Sequence, residues 1–91
     1  KSYGNRLARD LYEGRAPKGV PRDVLQRAVR KLFLVDTVTR LEDLRVPPGN
    51  RLEALSGDRA GQHSIRVNDQ WRICFVWRDG DAWDVEFCDY H

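Results

Sequence analysis

From Arg51 onward, apolar residues recur at every second position, and this period dictates how the C-terminal half can fold. Ile65 and Val67 alternate with Ser64, Arg66 and Asn68. Trp71, Ile73, Phe75 and Trp77 alternate with Arg72, Cys74, Val76 and Arg78. Trp83, Val85 and Phe87 alternate with Asp84, Glu86, Cys88 and Tyr90. Two-residue alternation is the mark of strands with one buried face. A slip of one residue would exchange the two faces, so the pattern also sets the pairing. With Asn68-Asp69-Gln70 as a loop, Val67 faces Trp71, Ile65 faces Ile73 and Arg66 faces Arg72. With Asp79-Gly80-Asp81 as the next loop, Trp77 faces Trp83, Phe75 faces Val85, Ile73 faces Phe87 and Arg72 faces Cys88.

Before Arg51 the period is helical. Asn5 caps an expected helix running to about Glu13, with Gly14 ending it and Leu7 and Leu11 buried. Pro21 suits the first turn of a second helix. Val24, Leu25, Ala28, Val29, Leu32 and Val35 form its apolar stripe through Asp36. Pro47-Pro48-Gly49-Asn50 ends regular structure, Arg51 to Leu55 forms a short strand, and Ser56 to Gly61 a turn. Helices followed by an antiparallel meander predict an α+β fold, two N-terminal helices packed on a twisted sheet, in one domain spanning residues 1–91.

Composition narrows the chemistry. At 91 residues the chain buries a modest core, so a site belongs in a groove or on a sheet face rather than in a large cavity. No apolar run is long enough to span a membrane, and no signal-peptide pattern opens the chain. With no Met anywhere, the initiator and a residue or two are expected to precede Lys1. Cys74 and Cys88 lie in strand-like runs and read as reduced thiols of a cytoplasmic protein. Metal-ligand spacing, phosphate-binding loops and nucleophile elbows are missing, so no metal or cofactor is expected. Net charge is +2, yet residues 15–31 carry +5 and residues 73–91 carry −4. Thirteen of the sixteen basic residues are arginines, suited to phosphate and carboxylate alike. Arg27, Arg30 and Lys31 on the second helix are either a solvated face or an RNA-backbone surface.

The register places Arg66 beside Arg72 on the sheet face that also carries Ser64, Glu86 and Tyr90. Paired like charges are unfavourable alone. Either Glu86 or another acid neutralises them, or they form an anion site able to meet charge on a phosphate. Asp89-Tyr90-His91 adds a phenol and an imidazole at the edge of that face, and imidazole suits proton transfer near neutral pH. His63, on the apolar side of its strand, reads as structural.

The segments GNRLEALSGDRAGQHSIRVNDQWRICFVW (49–77) and DVEFCDYH (84–91), with LEDLRVPPGNRL (41–52) leading in, resemble HigB toxins of the RelE/ParE superfamily, in particular the GraT-like branch. The resemblance implies a RelE-like fold with a first strand around Lys1 to Tyr3. It implies a type II toxin that binds the ribosome and cuts translated mRNA, the messenger's own 2′-hydroxyl attacking the neighbouring phosphate without a metal. Carried onto this chain, Arg66 and Arg72 match the phosphate-holding arginines, and Asp89, Tyr90 and His91 the C-terminal catalytic group. Arg51, Arg59, Arg27, Arg30 and Lys31 are the expected RNA and ribosome contacts. The expected partner is a helix-turn-helix, HigA-like antitoxin, with operator DNA reached only through that complex. Many HigB relatives carry a His and a Lys where this chain has Glu53 and Ser56, which leaves the general base open. The alternatives are a ParE-like gyrase poison and a non-catalytic antitoxin-binding module.

Overall fold

The computed structural model describes Arg9, Asp10, Glu13, Arg15 and residues 19–89. The expected strand at Lys1 to Tyr3 and most of the first expected helix lie outside those residues. Arg9 and Asp10 are helical, and the Glu13 N–H donates to the Arg9 carbonyl at 3.0 Å. Helix α1 (Arg22–Thr37) begins after Pro21, whose fixed φ suits a helix start, with Asp23 favourable in the first turn. It buries Val24, Ala28, Leu32 and Val35 against the sheet. Val29, assigned above to the buried stripe, is instead 47% exposed. It lies at the stripe's edge, where helical spacing alone does not fix which way a side chain turns.

Between helix and sheet the chain makes two single-turn 3-10 helices, Leu41–Arg45 and Pro48–Asn50. Leu44 and Asn50 are fully buried. The Asn50 amide donates to the carbonyls of Leu44 at 3.1 Å and Val46 at 3.2 Å, and its oxygen accepts from Lys31. One buried amide thus ties α1 to the connector and satisfies the buried Leu44 carbonyl and the half-buried Val46 carbonyl.

The sheet is an antiparallel meander, β1-β2-β3-β4, comprising Glu53–Ala54, Gln62–Arg66, Trp71–Arg78 and Asp81–Asp89. β1 is shorter than the expected Arg51–Leu55, because Arg51 takes the left-handed region (φ 45°) at the end of the preceding turn. The β2–β3 hairpin has the expected register, Ile65 opposite Ile73 and Arg66 opposite Arg72. Asn68 Oδ1 holds its loop by accepting from the N–H groups of Gln70 and Trp71 at 2.9 and 2.8 Å.

The β3–β4 hairpin corrects the expectation at its tip. Arg78 pairs with Asp81, Trp77 with Ala82 and Val76 with Trp83. The loop is the two-residue Asp79-Gly80, both at positive φ (54° and 76°), as an Asp-Gly hairpin turn favours. A bulge between Cys74 and Val76, with Asp84 left-handed at φ 51°, absorbs the extra residue. Beyond it Ile73 faces Phe87 and Arg72 faces Cys88, as expected. Ala82 therefore takes the inward place assigned to Trp83. Trp83 lies on the other face, donating Nε1–H to the Arg78 carbonyl at 3.0 Å under the Arg78 guanidinium. The core joins the helix stripe to Ile65, Val67, Ile73, Phe75, Val85 and a parallel Trp71–Phe87 stack 4.6 Å between centroids.

Asn50→Ala should lower the unfolding free energy by roughly 1–3 kcal/mol, since the buried Leu44 carbonyl loses its donor. Urea unfolding checks this, and a cost below ~0.5 kcal/mol would remove Asn50 from that role.

Candidate active site

Arg72, the second residue of β3, is only 8% exposed. Its Nε donates to Ser64 Oγ at 2.9 Å and an Nη donates to the Arg51 carbonyl at 3.0 Å. Glu53 Oε1 stands 3.8 Å from the same Nη. The sequence reading set Arg72 on an open face, and the structure corrects this. The chain around β1 and the fully buried Ser64 close over it, because a guanidinium tolerates burial only when oxygens meet its donors.

Glu53 is half-exposed at 54% and lies with Ser56, Asp58, Arg59, Ser64, Cys74 and Cys88 around a cleft of about 420 Å³. This carboxylate is the functional candidate that sequence reasoning passed over. The pairing of Glu53 with Ser64, the residue that accepts from Arg72, brings the carboxylate near that arginine across β2. Across the cleft Arg59 is held by an ion pair with Glu86 and donates to Gln62 Oε1 at 2.9 Å. Glu86 thus neutralises Arg59 rather than the Arg66–Arg72 pair. Cys74 and Cys88 are free thiols. Their mutual hydrogen bond lowers Cys74 below the usual thiol value, whereas the same bond and burial push Cys88 up.

Arg66 and Arg72 are register partners, but their side chains diverge. Arg66 pairs with Asp69 and lines a separate groove of about 450 Å³ with Arg27, Arg30, Lys31, Leu34, Gly49 and Val67. Two groups that looked independent in the sequence, a helix face and a sheet arginine, thus meet in one four-cation groove. Burial, and then the neighbouring Arg27, hold the Lys31 ammonium below its usual pKa. Arg51 contributes its carbonyl to Arg72, and its side chain is exposed. Asp89 ends β4 opposite Trp71, while Tyr90 and His91 lie outside the described residues. His63 packs its ring on Phe75 at 6.3 Å, away from both depressions as expected of a structural residue. Among the described residues no group of three metal-ligating side chains comes together.

A buried arginine beside a carboxylate, with a cationic groove around the arginine directly across the ladder, suits a phosphodiester substrate. Comparison with known proteins agrees. A sequence model described as the RelE-like toxin of type II toxin-antitoxin system HigB matches residues 1–91. The chain belongs to the HigB-like toxin family. It is similar to Toxin HigB-1 of Vibrio cholerae, 46% identical over 63 residues, covering 69% of this chain and 66% of that protein. It is 35% identical to Endoribonuclease HigB of Proteus vulgaris over all of this chain and 98% of that one. A solved YoeB/ParE toxin from Agrobacterium tumefaciens shares the fold with a TM-score of 0.53 at 18% identity, covering all of this chain and 98% of that one. As a type II toxin, this HigB-like chain has an antitoxin partner.

Removing Arg72 should cost stability as well as any activity. Arg72→Ala should lower the unfolding free energy by about 1–3 kcal/mol, because Ser64 and the Arg51 carbonyl lose a buried donor. Wild-type urea stability would show that the burial of Arg72 is incidental.

Proposed function

We propose that this HigB-like chain is a ribosome-dependent endoribonuclease that cuts translated mRNA in the cytoplasm by attack of the RNA 2′-hydroxyl. The observation that carries the reading is the placement of Glu53 3.8 Å from the buried Arg72 at the cleft. A carboxylate within reach of a bound ribose accepts the 2′-hydroxyl proton, and the freed oxygen attacks the adjacent phosphorus. Negative charge growing on the phosphoryl oxygens is met by the Arg72 guanidinium, already oriented by Ser64 and Arg51. The 5′-oxygen leaves with a proton, the role proposed for the C-terminal Tyr90-His91 pair next to Asp89. The guanidiniums supply the charge that a metal would, so no metal or cofactor is assigned.

The groove of Arg27, Arg30, Lys31 and Arg66 is proposed to hold flanking RNA backbone, with Arg51 and Arg59 as further contacts. Both depressions are open and shallow for a flexible single strand. Alignment, which can supply several kcal/mol of such a barrier, is therefore assigned to the ribosome holding the codon. The name of the Proteus vulgaris relative, Endoribonuclease HigB, favours cutting over gyrase poisoning. The proposed antitoxin is a HigA-like helix-turn-helix protein, which would carry the complex to operator DNA.

The test is cleavage of mRNA loaded on ribosomes against the same RNA naked. Only the loaded RNA should be cut, and Glu53→Gln should cut it about 10²–10⁴-fold more slowly. An unchanged rate would remove Glu53 as the base. Equal cutting of naked RNA would remove the ribosome from the mechanism.

A further inference from the structure

Helix α1 has a second apolar line, of which only Leu25 packs on the edge of the core while Val29 and Phe33 stand exposed. Leu25, Val29 and Phe33 recur at four-residue spacing and stack along its outer side, away from the buried Val24, Ala28, Leu32 and Val35. Leu25 is half-buried, while Val29 is 47% and Phe33 59% exposed. A ridge of this spacing is what a partner helix packs into. Exposed Arg22, Gln26 and Arg30 run alongside it. The carboxylates of α1, Asp23 and Asp36, leave the helix net positive against Arg22, Arg27, Arg30 and Lys31.

Charge decides what fits there. A second copy of this chain, meeting the ridge about a two-fold axis, would bring Arg22 and Arg30 towards their own counterparts. The chain's own first eighteen residues are also basic, Lys1, Arg6, Arg9, Arg15 and Lys18 against Asp10 and Glu13. We propose that the Leu25–Val29–Phe33 ridge is the surface on which the antitoxin docks, through an amphipathic helix with apolar residues at four-residue spacing and acidic flanks. This rests on the toxin reading, since it takes the partner to be the neutralising one. Phe33 fills a recess between two turns of the incoming helix, and acidic side chains of that helix meet Arg22 and Arg30. Arg30 is shared with the cationic groove, but the three ridge residues line neither depression, so the partner's apolar grip does not depend on the residues proposed to cut.

The experiment uses the full chain and the protein encoded by the adjoining reading frame, purified together and apart. Phe33→Glu should weaken that complex by at least ~10-fold, the scale of a central aromatic contact, with Phe33→Leu restoring most of the affinity. Arg22→Glu should weaken it several-fold at low salt, with the difference shrinking as salt screens the exposed charges. In cells, the Phe33→Glu toxin should still arrest growth but escape neutralisation. Unchanged affinity of Phe33→Glu overturns the proposal. So does a wild-type homodimer that Phe33→Glu dissolves, or a loss of several degrees in Tm by Phe33→Glu, which would mean that the chain covers the ridge itself. Weakened binding together with a wild-type chain that never inhibits growth would keep the docking surface and refute the toxin reading.

Discussion

A guanidinium that is 8% exposed is unfavourable unless oxygens replace the water it gave up, and Arg72 sets that demand at the centre of the sheet. Among the described residues its partners are Ser64 on β2, the carbonyl of Arg51 just before β1, and the carboxylate of Glu53 on β1. β1 has only two residues, too few for backbone pairing alone to hold it. The contacts to Arg72 help secure it, and in doing so bring Glu53 to the cleft. In the proposed mechanism stability and chemistry therefore meet at one residue. A cation whose donors already have fixed partners needs little reorganisation when charge develops beside it.

Arg66 and Arg72 are neighbours across the β2–β3 ladder, an arrangement that repels if both guanidiniums stay together. Each is met by its own partner instead, Arg72 by the Ser64 hydroxyl and the Arg51 carbonyl and Arg66 by Asp69. The result is a cleft bordered by Glu53, Asp58 and Arg59, and a separate groove lined by four cations. The proposed mechanism gives bond breaking to the first and polyanion binding to the second.

Much of this was legible before any coordinates. The β2–β3 register followed from alternating burial and the loop Asn68-Asp69-Gln70, because each alternative put charges in the core. The β3–β4 tip did not, because counting apolar positions outweighed the turn chemistry of Asp79-Gly80. The bulge at Asp84 then returned Ile73 and Phe87 to the expected pairing. Alternation with Val85 and Phe87 puts Trp83 inward, yet the two-residue turn and the bulge give that place to Ala82. The burial of Arg72 was hidden because what covers it comes from an irregular segment, and periodicity says nothing of irregular backbone. Glu53 was noted only for what it replaced in relatives, since its closeness to Arg72 depends on how β1 folds over.

The central claim is that the substrate's own 2′-hydroxyl is the nucleophile, aligned by the ribosome and met by Glu53 and Arg72. It is tested most directly with a ribosome-bound messenger carrying a single 2′-deoxy nucleotide on the 5′ side of the cut. The account predicts that this message resists while its all-ribose counterpart yields a 2′,3′-cyclic phosphate and a 5′-hydroxyl. Cleavage of the deoxy message at the same position, leaving a 5′-phosphate, would contradict it.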